Sequence, residues 1–447
     1  MFGRQKAKKI IQQVLQSCDG RPAEVLFLVE EKALTRFANN AIHQNMSERN
    51  ASLILRIFHG QSMGTATTNR LDDTGIEVLV ARASANAAAS AADPDYPGLP
   101  GPATYKRINA FDEPTAAFSP EERARLVGEV CRLSQEKGLN ASGAFSTGCG
   151  EIAIGNAKGL FAYEPSTSAD FQTTVMSDDS SGRAHASAWR AGDLQIESLG
   201  REAIEKAEFG KHPRPVEPDE YTVVVEPYVT EDLLDMLNYH GMGAQAVQEG
   251  HSWMNDRLGQ QAMSRQISIW DDGLDSTGMP IAFDFEGVPK QRVDIVKEGV
   301  VLGPVYDRYS AARNGTTSTG HALPPTMRSM GPLATNLFMA PGKSSVEKMI
   351  QTTSHGLYIN RFWYTRLVHP RDCVITGMTR DGVFMIENGQ VAYPVKNLRF
   401  TQSYVEALAN VEEVGRSRRL LSSEFGGMSV LVPALKLNRF NFTGITA

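Results

Sequence analysis

The chain has few cysteines: Cys18, Cys131, Cys149 and Cys373 are scattered over 447 residues, with no C-x-x-C pair. That suits a reducing compartment better than a disulfide framework, so a cytoplasmic location is expected. No apolar run approaches the length of a membrane span, which argues against a helical membrane protein. The basic start, Met1 to Lys9, is followed by Ile10, Ile11, Val14 and Leu15 on one helical face rather than by an apolar leader core. Positive charge is not in surplus either. Lys and Arg number 45 against 51 Asp and Glu, a formal net charge of −6. With no basic stripe, nucleic-acid binding is disfavoured. Nine histidines are present, but no two are spaced three to five apart, so an H-E-x-x-H zinc helix is absent. No repeat of fixed period is seen.

What is present is an ordinary globular composition, 41% hydrophobic and 21% charged, long enough for two or three cored domains. After a first helix, Glu24 to Val29, Leu34 to Phe37 and Ala51 to Phe58 read as strands. Residues 72–92 are Ala-rich and helical, and stop at a Pro/Asp/Gly cluster. Ser119, Pro120 and Glu122 form a capping box that opens a helix to about Lys137. Residues 141–189 suggest antiparallel strands, and 191–207 a helix. The Pro-rich stretch around residues 211–220 marks the best boundary, giving an N-terminal α+β domain (1–210) and a mostly antiparallel β C-terminal domain (221–447). In the second half a helix is expected from Thr230 to Val247 and another from Ser344 to Gln351.

Several motifs are better explained by local structure. Gly60, Ser62 and Gly64 fit G-x-S-x-G, but the β-prone Thr65 to Thr68 follows where a nucleophile elbow needs a helix, so a hairpin turn is expected. Gly342, Lys343 and Ser344 resemble the end of a P-loop without its first glycine, and predict a turn with Ser344 or Ser345 capping a helix. Asp271, Asp272 and Asp275 lack calcium-loop spacing and read as a solvated turn.

The most informative segment runs from Thr379 to Phe400. Val383 to Ile386 and Val391 to Val395 are β-rich, and Glu387, Asn388 and Gly389 supply a turn tolerant of positive φ. This hairpin resembles the C-terminal domain of the TldD/PmbA proteins, a family of metallopeptidase subunits. So do Leu34 to Gln44, Ser252 to Gly259, Ile267 to Asp272, Phe285 to Pro289, Asp307 to Arg313, Ser318 to His321 and Pro433 to Thr443, all in order along the chain. The resemblance implies an α+β domain followed by a largely β domain, assembled as a dimer. In that family TldD-like subunits bind zinc through H-E-x-x-x-H and a downstream cysteine, whereas TldE/PmbA-like subunits lack these residues and pair with a TldD-like chain. The complex degrades or trims peptides.

Counted from Ser252, the family's metal motif falls on Asp235 to His240, with Met236 at the general-base position and only His240 retained. The cysteine position falls near Arg380. Methionine cannot take a proton from water, and arginine is no zinc ligand. The resemblance therefore implies no catalytic or metal residue and no cofactor in this chain, with zinc expected in a TldD-like partner of a heterodimer, or a homodimer in its place. Arg361, Trp363, Tyr364, Arg366 and Arg380 are candidates to hold a peptide, the arginines by pairing with carboxylate, or they are ordinary packing and surface charge. Two other functions stay open: a self-sufficient metallopeptidase with unusual ligands, and a regulatory binding protein of the gyrase-modulator type.

Overall fold

The computed structural model describes residues 1–423 and 428–445. Strands β1 (Ala23–Ala38), β2 (Ala41–His59), β3 (Ser62–Thr68), β4 (Asn140–Asn156), β5 (Phe161–Met176) and β6 (Ser181–Ala188) form one antiparallel sheet in the order β3-β2-β1-β4-β5-β6. The two strands expected at 24–29 and 34–37 are a single one. Glu30, Glu31 and Lys32 remain in register with Asn50, Arg49 and Glu48 on one side and with Gly150, Cys149 and Gly148 on the other. Polarity alone does not break a strand whose backbone is paired on both edges.

One face of this sheet is covered by helices α1 (Arg4–Gln16), α2 (Asp73–Ala89), the single turn α3 (Glu113–Ala116), α4 (Pro120–Glu136) and α5 (Ile196–Phe209). Alternation in β1 sends Val25, Phe27 and Val29 under α1 and α2, while Leu26 and Leu28 face the C-terminal half. Further along, Phe37, Phe145 and Phe171 pack under Val127 and Val130 of α4 and Leu199 of α5. The capping box of α4 is as the sequence predicts: Ser119 Oγ accepts from Glu122 N (3.1 Å) and Glu122 Oε2 from Ser119 N (2.8 Å). The G-x-S-x-G segment is the β2–β3 hairpin, with Ser62 opposite His59.

Strands β7 (Glu220–Val225), β8 (Ile269–Asp271), β9 (Val293–Lys297), β10 (Val300–Val301), β11 (Asn336–Met339), β12 (His355–His369), β13 (Val374–Glu387), β14 (Gln390–Pro394), β15 (Leu398–Ser403), β16 (Val411–Ser422) and β17 (Ser429–Ile445) build the second sheet. It closes on itself. β17 pairs with both β15 and β7, so β7-β12-β13-β15-β17 forms a ring. Most pairings are antiparallel, but β7/β12 and β11/β17 are parallel. Asn388 (φ 50°) and Gly389 (φ 79°) make the expected tight turn between β13 and β14. Residues 211–219 connect the halves and are tied to the end of β14 by Arg214 N to Pro394 O and Lys396 N to Arg214 O, both 2.9 Å.

The helix expected from Thr230 to Val247 is interrupted. α6 (Pro227–Leu237) ends in a wide π turn at Asn238–Met242, followed by a short helix at Ala244–Gln248. The Leu237 carbonyl accepts from the Trp253 indole (2.8 Å). A Cβ at Gly241 would sit 2.2 Å from that ring, so the glycine admits the indole that stops the helix. Val229, Leu233, Leu234, Met236 and Leu237 pack with Val223, Leu357 and Leu435 in the core of this half. Ser345, not Ser344, caps the helix at Val346–Gln351. Among the described residues no helix is long and apolar enough to cross a membrane.

The acidic turn at 271–275 is not solvated at its first residue. Asp271 is fully buried. It accepts from Thr335 N and Asn336 N (2.8 Å each), lies 2.7 Å from His321 Nε2 and 3.7 Å from Lys290 Nζ. Burial pushes its pKa up, but Lys290 and His321 outweigh that and hold it at about 2.

Candidate functional site

The uncovered face of the first sheet meets the second half across a cleft of about 580 Å³. Its floor follows from residue parity. Ser146, Gly148 and Gly150 of β4 lie in register with Asp170, Ser168 and Ser166 of β5, and Lys32 and Glu30 of β1 complete the rows. Small side chains leave the floor flat and its edges charged. The opposite wall sets the apolar Ile281, Phe283, Phe285 and Met428 beside Asp284 and Lys290. Glu164, at one edge, is pushed up to about 7 by burial, with Arg4 opposing.

Asp170 is the polar node of this cleft. It accepts from Ser187 Oγ and from Ser422 Oγ, both at 2.7 Å, and lies 2.8 Å from His185 Nε2. Burial raises its pKa, and the bonds from His185 and the two serines overcome that and hold it well below the usual carboxylate range. Ser422 belongs to β16, so the node ties the two halves together. Both serine hydroxyls lie closer to Asp170 (2.7 Å each) than to His185 Nε2 (3.5 and 3.4 Å), and that nitrogen is itself turned onto Asp170, so all three groups converge on the carboxylate as a structural clasp. Sequence reasoning missed it, because Ser422 and Asp170 lie 252 residues apart and carry no local signature.

A second, smaller pocket of about 190 Å³ lies beside α6. It gathers Arg361, Trp363, Tyr364 and Arg366 with Asp235, and adds Glu231, Asp232 and His185. Arg361 sits opposite Arg380 in the β12/β13 register, which puts both guanidiniums on Trp363, 4.7 and 5.1 Å from its ring centroid. Two like charges facing each other across strands repel. The shared indole face and Asp381, 2.6 Å from Arg361 Nε, offset that. Tyr364, 61% exposed, holds a positive φ of 56° where the β12/β13 register slips, and Arg366 stacks on it at 4.4 Å.

The four positions where the resemblance places metal chemistry do not converge. Asp235 lines the small pocket and Arg380 stacks on its tryptophan. Met236 is buried in the apolar core. His240 lies in the π turn against Tyr239, outside the pocket lining, its pKa pushed down by burial and by His251. Among the described residues no three His, Cys, Asp or Glu side chains are placed to hold a metal ion. The donor set does not fit zinc.

The chain is thus a helix-backed antiparallel sheet facing a closed β ring across a cleft, an α+β architecture. The chain belongs to the PmbA/TldA metallopeptidase family: residues 218–444 match its C-terminal domain, 23–87 its domain 1 and 113–208 its central domain. The first two domains of that description supply β1–β3 and β4–β6 of one continuous sheet. The chain is similar to the metalloprotease PmbA of Escherichia coli O157:H7, 27% identical over 408 residues, covering 86% of this chain and 85% of the relative. It is also similar to a metalloprotease TldD homolog of Buchnera aphidicola subsp. Acyrthosiphon pisum, 21% identical over 334 residues, covering 70% and 67%. In fold it matches the crystal structure of TldE from Thermococcus kodakarensis, with a TM-score of 0.88 at 18% identity over 98% of this chain and 99% of that one.

Proposed function

We propose that this chain is a non-catalytic, TldE/PmbA-like subunit that pairs with a zinc-bearing TldD-like chain and holds an extended peptide for it. One observation carries the reading. Where the resemblance expects a metal ligand, Arg380 and Arg361 bring two guanidiniums onto Trp363. A fixed positive charge repels a divalent cation and favours carboxylate. The cleft supports the peptide role. Its serine and glycine floor is flat enough for an extended backbone of any sequence, and Ile281, Phe283 and Phe285 opposite can take apolar side chains.

The test is metal content and hydrolysis of an unfolded peptide, for the purified chain alone and mixed with a chain from the same cell that carries an intact H-E-x-x-x-H. The expected result is no bound zinc and no cleavage alone, with cleavage in the mixture. Stoichiometric zinc together with cleavage by the chain alone overturns the proposal.

A further inference from the structure

The cleft between the two halves holds a carboxyl that no neighbouring group claims. Glu164 lies on the cleft side of β5, beside Ser166 on the same strand and opposite Ile152 of β4. Ile152 and Phe285, which line the cleft with it, pack on the apolar cluster around Ala162 and Phe283. Glu164 is half-buried there, and it makes no hydrogen bond or ion pair with any of the described residues. The cation that acts on it is Arg4. Arg4 stands on the helix-covered face, its guanidinium over the rings of Phe161 and Tyr163 (5.3 and 6.0 Å), and stays beyond ion-pair distance of Glu164.

Most other charges of the cleft are engaged elsewhere. Asp170 is held by His185 and two serines. Glu31 turns to Arg49 (3.8 Å). Asp284 accepts from the amides of Glu286, Val288 and Ala322, each at 2.9 Å. Lys290 lies 3.0 Å from Thr335 Oγ1 and 3.7 Å from the buried Asp271. Glu30 and Lys32 of β1 remain, both exposed. Lys32 already has two carboxylates beside it: Glu30, two residues away on the same face, and Glu48, opposite it on β2. The charge left over in the cleft is therefore negative. The approach to Glu164 is also open, because Gly150 lies in register with both Glu30 and Ser166 and puts no side chain between them. A Cβ at Gly150 would sit 3.0 Å from Val29 O. A half-buried carboxyl beside an apolar wall is poorly solvated when ionised, and a cation entering next to it favours the ionised form and forms a charge-assisted hydrogen bond. Burial that pushes Glu164 up to about 7 agrees with an acid lacking its counter-charge.

We infer that Glu164 receives an ammonium group of a peptide lying in the cleft, either a lysine side chain or the chain's own α-amine. The inference rests on the peptide-holding role proposed above and adds a preference to it: cationic peptides are held over neutral ones. The test uses the full chain at about pH 7.5 and an extended, C-terminally labelled peptide in three forms, read by fluorescence anisotropy. One form is N-acetylated and neutral, one has a free α-amine, and one is N-acetylated with a single internal lysine. At least one cationic form is expected to bind roughly tenfold more tightly than the neutral form, the scale of one charge-assisted hydrogen bond. The advantage of the free amine assigns the chain end, and that of lysine a side chain. Glu164→Gln keeps the shape but cannot ionise, and is expected to bring the cationic forms down to the neutral one. The unaltered protein gives a second reading that needs no variant. Because Glu164 takes up a proton near pH 7, the advantage of the cationic form should fade between about pH 7 and pH 5.5, where an ordinary carboxylate would keep it. Equal binding of all three forms overturns the inference and leaves the peptide role standing. An advantage that survives Glu164→Gln, or persists undiminished to about pH 5.5, overturns the assignment to Glu164. Failure of all three forms to bind overturns the peptide role and the inference together.

Discussion

Replacing Glu24 with glutamine should remove a pH dependence from the joint between the two domains. Arg56 Nη2 lies 2.7 Å from Glu24 Oε1 and 3.2 Å from Glu286 Oε1, and all three groups are buried. Glu286 comes from the C-terminal half and the other two from β1 and β2. Two carboxylates share one guanidinium. Burial, with Glu286 adding to it and Arg56 opposing, pushes Glu24 from 4.5 up to about 7. Between those two values the folded chain holds a proton that the unfolded chain has released. Stability from this group is therefore full below about pH 4.5 and falls as pH rises through about 7, by about 3 kcal/mol over the whole shift. Glutamine keeps a group able to bond Arg56 and cannot ionise. Urea unfolding of both proteins, from about pH 5 to pH 8, reads the difference directly. The two should be nearly equal at the acid end, and Glu24→Gln the more stable by roughly 1–3 kcal/mol at the alkaline end, with unchanged m values. A variant that loses stability as pH rises, relative to the native protein, would refute the reasoning: the ionised Glu24–Arg56 pair would then be the favoured form.

Four further outcomes are expected. Asp170→Asn should cost about 3 kcal/mol at neutral pH in chemical denaturation, since it removes the negative charge on which His185, Ser187 and Ser422 converge and leaves a neutral amide in its place; because the native Asp170 pKa is depressed, the deficit should shrink only as pH falls below the ordinary Asp value. Trp363→Ala should lower stability by about 1–2 kcal/mol through loss of the two stacked guanidiniums, seen as a drop in Tm that Trp363→Tyr largely restores. Gly64→Ala should cost about 3 kcal/mol or more, or prevent folding, because the added Cβ would lie 2.1 Å from Ala83 O on α2; a circular dichroism melt decides. Titration with a thiol reagent should find at most Cys149 reactive in the folded chain and all four thiols after unfolding, because Cys18, Cys131 and Cys373 are buried and burial raises their pKa, that of Cys18 to about 11.

Local chemistry was legible in the sequence wherever its cause was local. Asn388 and Gly389 turn the β13–β14 hairpin because they tolerate positive φ, and Ser119 with Glu122 closes the first turn of α4. The aromatic and cationic run from Arg361 to Arg366 could be read because it sits on one strand, where the register slip beside Tyr364 brings its members to one pocket. Distant causes were not readable. Asp271 reads as a solvated turn until Lys290, His321 and the amides of Thr335 and Asn336 are folded around it. The α6 helix stops early because Trp253, beyond its end, takes the Leu237 carbonyl. Closure of the β ring is a backbone pairing of Leu435 with Val225 and Leu437 with Val223, which any β-prone residues would satisfy. Asp170 fails to stand out for the same reason as Asp271: its partners come from β6 and β16.

These remote partners also decide how the cleft behaves. The domains touch through apolar residues around Phe283 and Leu26, but much of the joint is polar and buried. Arg56 reaches Glu286, Asp170 reaches Ser422, Arg419 reaches Glu202 at 2.8 Å, Lys206 reaches Asn360 at 2.9 Å, and Ser181 reaches Asp381 at 2.7 Å. An apolar contact tolerates sliding, because its energy depends on area and hardly on direction. A buried hydrogen-bonded ion pair does not, since a shift of an ångström leaves charge dehydrated and unmatched. Two ion pairs and three hydrogen bonds to a charged group, in different directions, hold one separation between the serine and glycine floor and the wall of Ile281 and Phe283. A subunit whose task is to present a peptide to another chain needs a groove of fixed width, whereas one that closes around its ligand needs a joint that slides. The polar links of this joint suit the first kind, in keeping with the peptide-holding role proposed above. Selectivity in the cleft should therefore come from the shape and charge of its edges, Glu30, Lys32 and Glu164, and not from domain closure.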